Sequence, residues 1–286
     1  MPVEVRNLSH IYDAGGPFEF KALEDVSFRV RDGEFVAVIG HTGSGKSTLV
    51  QHMNGLSKPT SGTVFVGNLD LSDKNTSLKE VRRHVGLVFQ YPEYQLFEET
   101  VKADIGFGPK NMGLDAEEID YRVREAMELT ELNYNALADK SPFELSGGQK
   151  RRVAIAGVLA MEPDILILDE PAAGLDPAGR DSILSLIRHW HDNGKTIIMV
   201  SHSMDDVADL AEHILVMNHG KLEMEGTPEE IFSQGKRLKE IGLGVPTVTA
   251  LAMELSERGF PIPANLFRME DMEKALLSVL KGGNFA

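Results

Sequence analysis

The sequence predicts an α/β protein with a mainly parallel, helix-covered sheet, preceded by an antiparallel β subdomain. Three observations support this fold class. Apolar runs such as "DILILDE" and "KTIIMVSH" are separated by helical patterns, as in sheets that helices cover on both faces. A glycine-rich turn, "GHTGSGKST", directly follows the apolar run "FVAVI". Residues 2–39 have the sequence pattern of strands, which begins with alternating apolar and polar residues.

The predicted elements follow in order along the chain. The strands "VEVRNLSHIY" and "ALEDVSFRV" precede a turn at Asp32–Glu34 and the apolar strand "EFVAVIG". A helix over "STLVQHMNGL" ends at Gly55, and "SGTVFVGNLDL" returns to strand and turn. "LKEVRRHV" is a short helix that leads into the buried strand "GLVFQ".

Helices are predicted to dominate residues 91–161, where "EEIDYRVREAMELTEL" is the clearest amphipathic stretch. Strands and helices then alternate until "HILVMNHGKLEMEG", a hairpin that turns at "NHG". Two further helices are joined through "PIPANL". We therefore predict a domain over residues 1–235, with a helical subdomain at about 91–161, and a C-terminal helical extension over residues 236–286.

Composition and charge restrict the class of protein. The net charge of −15 opposes binding to phosphate backbones, so we expect no nucleic-acid partner. The absence of cysteine excludes disulfides, zinc–cysteine sites and iron–sulfur clusters. The first residues lack a signal-peptide pattern, and no apolar run approaches the roughly 18 residues of a membrane helix.

A phosphate-binding loop (P-loop) is predicted where "GHTGSGKS" matches G-x-x-x-x-G-K-[ST] between a strand and a helix, a context that a chance glycine turn would lack. Its glycines let backbone amides turn towards phosphate oxygens, and the helix adds its positive N-terminal end. Lys46 would reach the β- and γ-phosphates, and the Ser47 hydroxyl would bind Mg²⁺. The predicted ATP-binding residues of the loop are Gly40, His41, Thr42, Gly43, Ser44, Gly45, Lys46, Ser47 and Thr48.

Two carboxylates, Asp169 and Glu170, follow the apolar strand in "ILILDE". Asp169 would hold Mg²⁺ directly or through water, and Glu170 would polarise the attacking water. Taken alone, two acids after a strand more often mark a solvated sheet edge. Because parallel strands end along one edge, however, both acids would lie near the P-loop.

A second anion-binding helix start is indicated by "LSGGQ", Leu145–Gln149. Ser146 suits an N-cap, and Gly147 and Gly148 leave the first helical amides uncovered. As an isolated pentapeptide, the stretch would also be compatible with a plain helix cap. The following "KRR", Lys150–Arg152, is interpreted as a solvated helix turn.

The P-loop, "LSGGQ", "ILILDE" and a histidine after a buried strand, His202, occur in this order. Together they resemble the nucleotide-binding domain of ATP-binding cassette (ABC) proteins over nearly all of residues 2–235. The resemblance implies an ATPase that binds ATP and Mg²⁺. It also implies two such domains head to tail, with each ATP held between the P-loop of one domain and the LSGGQ helix of the other.

The same resemblance implies roles for single residues. Glu170, His202 and Gln90 would be catalytic, and Tyr12 would stack on the adenine. The implied Mg²⁺ ligands are Ser47, Gln90 and Asp169, and the residues implied to act on the partner's ATP are Ser146, Gly147, Gly148, Gln149 and Asp176. Each assignment has an alternative, because Tyr12 also suits strand packing, Gln90 a polar strand end and His202 a turn.

"YPEYQLF", Tyr91–Phe97, resembles the same segment of the energy-coupling factor (ECF) ATPases, which power bacterial uptake of vitamins and of cobalt or nickel ions. His41 within "GHTGSGKST", the stretch "DEPAAGLDP" and the C-terminal "GVPTVTALAMELSERGF" are similar to that subfamily as well. The resemblance implies three partners, which are a second ABC ATPase, a membrane coupling (T) subunit and a membrane substrate-binding (S) subunit. It favours a paralogue as the second ATPase, and an identical copy stays open. It places the chain at the cytoplasmic face of the cell membrane as a peripheral protein.

Four apolar or aromatic residues of this segment, Tyr91, Tyr94, Leu96 and Phe97, would anchor a helix of the membrane partner. The alternative is that they pack inside the helical subdomain. The sequence leaves the transported substrate open, and three other functions as alternatives. These are the ATPase of another ABC importer, a non-transport ABC ATPase of DNA repair or translation, and a regulatory protein with a vestigial nucleotide site. The non-transport ATPase would predict a basic face, a coiled-coil insertion or tandem cassettes.

Overall fold

A computed structural model of the chain describes residues 1–282. The strands are β1 (Val3–Tyr12), β2 (Phe20–Val30), β3 (Phe35–Ile39), β4 (Ser61–Val66), β5 (Leu69–Asp70), β6 (Val85–Val88), β7 (Ile165–Asp169), β8 (Thr196–Val200), β9 (His213–Asn218) and β10 (Lys221–Gly226). The helices are α1 (Lys46–Met53), α2 (Leu78–His84), α3 (Val101–Met112), α4 (Ala116–Leu129), α5 (Tyr134–Leu137), α6 (Gly147–Leu159), α7 (Pro177–Asp192), α8 (Met204–Leu210), α9 (Pro228–Phe232), α10 (Gly235–Glu240), α11 (Thr247–Glu257) and α12 (Met269–Gly282). Short 3₁₀ turns occur at Pro92–Gln95 and Pro142–Glu144.

The larger sheet has six strands in the order β10-β9-β3-β8-β7-β6. The strands from β9 to β6 are parallel, and only β10 is antiparallel to its neighbour. Every residue of β3, β7 and β8 is buried, because both faces of the sheet are covered. Phe35, Ala37 and Ile39 face the helices, whereas Val36 and Val38 face the second sheet. The predicted α/β fold with a mainly parallel sheet is confirmed.

The second sheet is antiparallel, has the strand order β2-β1-β4-β5, and forms the predicted N-terminal β subdomain. Val3 and Val5 are buried at alternate positions of β1, and Leu8 continues the buried face after a register shift. This shift in the strand pairing explains why apolar and polar residues do not alternate strictly along β1. This sheet packs with α1 on the face of the larger sheet that carries Val36 and Val38.

Helices α3, α4 and α6 form the helical subdomain and share the main hydrophobic cluster with the larger sheet. The amphipathic pattern of α4 buries Val123, Ala126 and Met127. Its first turn is capped by Asp115, whose carboxylate accepts a hydrogen bond from the Glu118 amide at 2.9 Å. In residues 1–282, none of these helices or the others is long and apolar enough to cross a membrane.

The C-terminal region continues the main core before it forms a core of its own. Helix α10 crosses the boundary predicted at residue 235, and its Leu238 packs in the main cluster together with Leu243. A separate small cluster follows, built from Val248, Ala252, Ile262 and Met272. Helix α11 is attached to α8 where the Thr247 amide and hydroxyl donate to Asp205 at 2.7 and 2.8 Å. The predicted division into two domains stays a prediction, and its last residues, 283–286, lie outside the described range.

We predict that the α10 segment is part of the main folding unit. Replacing the fully buried Leu238 with alanine should lower the free energy of unfolding by about 2–5 kcal/mol, because the substitution leaves a cavity. Leu251→Ala, at a position with 43% exposure in α11, should change it by less than about 0.5 kcal/mol. Chemical denaturation followed by circular dichroism measures both. Equal effects of the two substitutions on the free energy of unfolding would contradict the assignment of α10 to the main folding unit.

Candidate nucleotide site

Four neighbouring parallel strands bring the predicted site residues to one edge of the larger sheet. The P-loop follows β3, His202 follows β8, Asp169 and Glu170 lie at the end of β7, and Gln90 follows β6. The register aligns Asp169 with Val200 and Val88 with Leu168, so these strand ends lie level with one another. Ligands bind at this edge in open α/β sheets.

The P-loop is shaped by glycines and by its neighbour, the β9–β10 turn. Gly45 is the N-cap of α1 with φ 101°, and a β-carbon there would lie 2.7 Å from the Ala22 carbonyl oxygen. Only glycine satisfies both the left-handed backbone and the close approach of β2. The Gly220 amide donates to the Ser44 carbonyl at 3.0 Å, and the His41 ring lies 4.8 Å from the ring of His219. The loop is thus held from two sides, while the first amides of α1 have no side-chain cap.

Lys46 is folded back over the P-loop. Its Nζ donates to the carbonyl oxygens of Gly40 at 2.7 Å and His41 at 3.0 Å, and the residue is 6% exposed. Burial lowers the pKa of the Lys46 ammonium, whereas the nearby carboxylates Glu170 and Asp169 oppose this shift. The ammonium is therefore close to both acids and bonded only weakly, to neutral carbonyls, which a phosphate can replace.

Asp169 and Ser47 lie together beside the lysine. Burial raises the pKa of the Asp169 carboxyl, and a hydrogen bond from the Ser47 side chain opposes the rise. A carboxylate and a hydroxyl are oxygen ligands of the type that Mg²⁺ prefers. In residues 1–282, no cluster of three or more His, Asp or Glu side chains forms a ready-made metal site. The pair fits an ion that takes most of its ligands from water and phosphate.

Glu170 is the meeting point of three strand ends. Its Oε2 accepts a hydrogen bond from Gln90 Nε2 at 2.9 Å, and its Oε1 lies 2.8 Å from His202 Nε2. His202 must carry a proton on Nε2 to make this bond. The Glu170 backbone has φ 52°, and its amide donates to Val200 at 3.0 Å, which turns the chain sharply at the end of β7. The structure brings together all three residues predicted to be catalytic.

Tyr12 ends β1 beside the first turn of α1. Its hydroxyl lies 3.2 Å from Thr48 Oγ1, and its ring packs edge-on against His10 at 4.5 Å. The residue is 42% exposed, so one part of the ring is free while the other packs against the strand. Tyr12 therefore packs against the strand as the alternative expected, and its exposed part lies beside α1, so adenine stacking stays a prediction.

The LSGGQ segment starts α6 with a complete capping box. The Gln149 amide donates to Ser146 Oγ at 3.3 Å, and the Ser146 amide donates to Gln149 Oε1 at 3.1 Å. Gly147 and Gly148 are exposed, and a β-carbon on either would have no atom within 4 Å. In residues 1–282, no hydrogen bond joins the P-loop to these residues. Asp176 is likewise exposed and caps α7 by accepting from the Gly179 amide at 2.8 Å.

Arg151 was wrongly interpreted as part of a solvated turn. Its side chain is buried, with 2% of the residue exposed, and Nη1 donates to the Ala173 carbonyl at 2.6 Å. A sequence signal was present, since Arg151 precedes the buried Ile155 by one helical turn and Leu159 by two. Arg152 is more open and contacts Ser182 and Glu131.

The predicted anchors for a membrane partner divide into two groups. Leu96 is 6% exposed and packs in the main cluster, so its prediction as a surface anchor is wrong. The 3₁₀ turn at Pro92–Gln95 points it inwards. Tyr91, Tyr94 and Phe97 are 41%, 85% and 57% exposed, and Phe97 packs edge-on against the exposed Phe107 of α3 at 4.9 Å. An aromatic surface therefore exists next to Gln90.

Comparisons with known proteins agree with this geometry. A sequence model described as ABC transporter matches residues 23–173. The chain is 57% identical over 284 residues to the energy-coupling factor transporter ATP-binding protein EcfA2 of Clostridioides difficile (strain 630), with 99% of both chains covered. It is also 57% identical over 283 residues to the protein of the same name from Caldanaerobacter subterraneus subsp. tengcongensis, again with 99% of both chains covered.

Solved structures show the same fold. The structure of cbiO1 from Clostridium perfringens, part of the ABC transporter complex cbiONQ, matches with a TM-score of 0.71 and 39% identity. The match covers 84% of this chain and 93% of that chain. A dimeric ATP-binding cassette in a post-hydrolysis state, bound to ADP and Pi, matches with a TM-score of 0.71 and 31% identity over 79% of this chain and 98% of the other.

Proposed function

The chain belongs to the ABC transporter family, among the energy-coupling factor transporter ATP-binding proteins, and from this membership we propose that it is the ATP-hydrolysing subunit of an energy-coupling factor importer. It would power the uptake of a vitamin or a transition-metal ion through membrane partner subunits, at the cytoplasmic face of the membrane. The observation that carries the proposal is the convergence of Gln90 and His202 on the Glu170 carboxylate, beside a P-loop.

In the proposed reaction, Glu170 accepts the proton of a water that attacks the γ-phosphorus, and ADP leaves as inorganic phosphate forms. The hydrogen bonds from Gln90 and His202 hold both carboxylate oxygens, so the base is oriented before substrate arrives. Lys46 would exchange the carbonyls of Gly40 and His41 for phosphate oxygens. Ser47 and Asp169 would hold Mg²⁺, which supplies positive charge at the phosphates.

The Ser146 helix start supports an ATP site shared between two cassettes. Its exposed glycines and uncovered amides have the features of an anion site, and no hydrogen bond joins them to the P-loop in the described part of the chain. A second cassette, which the family favours as a paralogue, would therefore contribute the P-loop that faces Ser146, Gly147, Gly148, Gln149 and Asp176. Closure of the pair would follow from contacts that the γ-phosphate makes only in the closed state.

The exposed aromatic surface supports a membrane partner. Tyr94 and Phe97 are exposed although their neighbour Leu96 is buried, and exposed aromatic side chains of this size are typical of interface anchors. A helix of the coupling (T) subunit would dock here, next to Gln90, and the substrate-binding (S) subunit would join the same complex.

We predict that Glu170→Gln retains ATP binding and loses turnover. The amide keeps the shape of the side chain but cannot accept the proton, so kcat should fall on the order of 100-fold or more. ATP affinity, measured by calorimetry, should change little. Lys46→Ala is the complementary control and should weaken ATP affinity itself. Near-normal hydrolysis by Glu170→Gln would remove this residue from the reaction.

The Gly148→Ala variant tests the shared ATP site, because it should lower ATPase activity without lowering the stability of the fold. The chain has room for the methyl group at this position. Alanine stabilises a helix by about 0.5–1 kcal/mol relative to glycine, so the stability of the fold should be unchanged or higher. ATPase activity should nevertheless fall about tenfold or more, because the methyl group occupies the approach of the partner's phosphates. Gly157→Ala on the same helix, where the new atom would meet ordinary contacts at 3.8 Å, is the matched control. Full activity in Gly148→Ala contradicts binding in trans.

The partner surface is tested by purifying the tagged chain with its native membrane proteins. We expect a Tyr94→Ala/Phe97→Ala variant to retain less than about a tenth of the membrane subunits, since central aromatic anchors each contribute roughly 1–2 kcal/mol or more. Phe18→Ala, which removes an 83% exposed aromatic from the turn between β1 and β2, should retain them fully. Equal retention in both variants would place the interface elsewhere.

A further inference from the structure

Arg151 places a positive charge in the interior, against the segments that follow Gln90 and Glu170. Its Nη1 donates to the Ala173 carbonyl at 2.6 Å, and its Nε lies 3.9 Å from Glu93 Oε2. The guanidinium carbon lies 6.0 Å from the centre of the Tyr91 ring. One side chain of α6 therefore reaches two other segments of the chain.

The guanidinium is held there at a cost in stability. Nε and Nη2 of Arg151 and Oε2 of Glu93 are buried without a hydrogen-bond partner among the described residues. Burial lowers the pKa of Arg151, and Glu93 and Tyr91 oppose the shift. An apolar side chain would fill this space at less cost, since incompletely bonded buried ions are seldom stabilising. Packing alone does not explain an arginine at this position.

The two segments that Arg151 reaches are those that carry the paired catalytic side chains. Tyr91 directly follows Gln90 in the chain, and Glu93 lies two residues further on. Ala173 closes the turn that begins at Glu170, because its amide donates to the Glu170 carbonyl at 3.1 Å. Gln90 and Glu170 are themselves joined by the 2.9 Å hydrogen bond. The guanidinium thus contacts the Ala173 backbone on the Glu170 side and the side chains of Glu93 and Tyr91 on the Gln90 side.

We infer that Arg151 is a positioning residue for hydrolysis, which ties the Tyr91–Glu93 turn to the Ala173 turn and so holds Gln90 and Glu170 in register. The inference rests on the proposed ATPase function, but it assigns to Arg151 a role apart from nucleotide binding. In the described residues, Arg151 makes no hydrogen bond, ion pair or cation–π contact with the P-loop, so its loss should act on the rate and not on ATP affinity.

The first test is Arg151→Met in the membrane complex purified through a tag on this chain. We expect kcat to fall on the order of tenfold, because small displacements of a catalytic pair are costly, while the Kd for ATP stays within about twofold. Arg124→Gln removes an exposed arginine that pairs with Asp120 on α4, and should leave both values unchanged.

A second variant separates positioning from stability. Arg151→Met leaves Glu93 buried without its cation, and an uncompensated buried charge lowers the stability of the fold by itself. Arg151→Met/Glu93→Gln removes both charges and should restore the melting temperature, yet kcat should stay low because the connection is still missing. Recovery of kcat together with the melting temperature would overturn the inference and leave Arg151 a purely structural residue.

The remaining outcomes distinguish this inference from the function on which it rests. If the unmodified complex hydrolyses ATP and Arg151→Met does so at the same rate, the inference alone is wrong. If the unmodified complex hydrolyses no ATP, the proposed function fails, and the role of Arg151 fails with it.

Discussion

The geometry of the site depends on the parallel alignment of β6, β7, β8 and β3. Gln90, Glu170 and His202 come from separate parts of the chain, and they meet only because these strands end level with one another. The two hydrogen bonds to Glu170 then fix both oxygens of one carboxylate. A shift of any of the strands by one residue would turn its side chains to the opposite face and separate the group.

The two helix starts that suit anions differ in a way that follows from their surroundings. The start of α1 is enclosed by β2, the β9–β10 turn and its own lysine. The start of α6 is open, and only its capping box occupies the serine. Both offer backbone amides to a phosphate, but the start of α1 is enclosed by its own chain and the start of α6 is exposed. The difference suits a ligand that is held firmly by one chain and covered by another.

Most of the fold was predictable, and so was the position of the candidate site residues at one sheet edge, because the signals involved are local. Strand, glycine turn and helix follow one another at Phe35–Met53, and the carboxylates directly follow a buried strand. The burial of Arg151 and Leu96 was missed, because burial depends on which face of an element meets the rest of the molecule. A charged residue next to other charges is usually solvated, and only the helical spacing of Arg151 to Ile155 argued otherwise. The packing of Leu238 in the main core could not be predicted for the same reason, since its burial depends on distant segments.

The capping box of α6 determines how easily its serine can acquire another bond. A hydroxyl has two lone pairs and one proton; Ser146 uses a lone pair for the Gln149 amide, and its proton points to Gln149 Oε1 at a weak 3.3 Å. An arriving oxyanion requires only that proton. Rotation about a single C–O bond would release it while the helix keeps its cap, so this end of α6 can switch hydrogen-bonding partners without any rearrangement of the main chain.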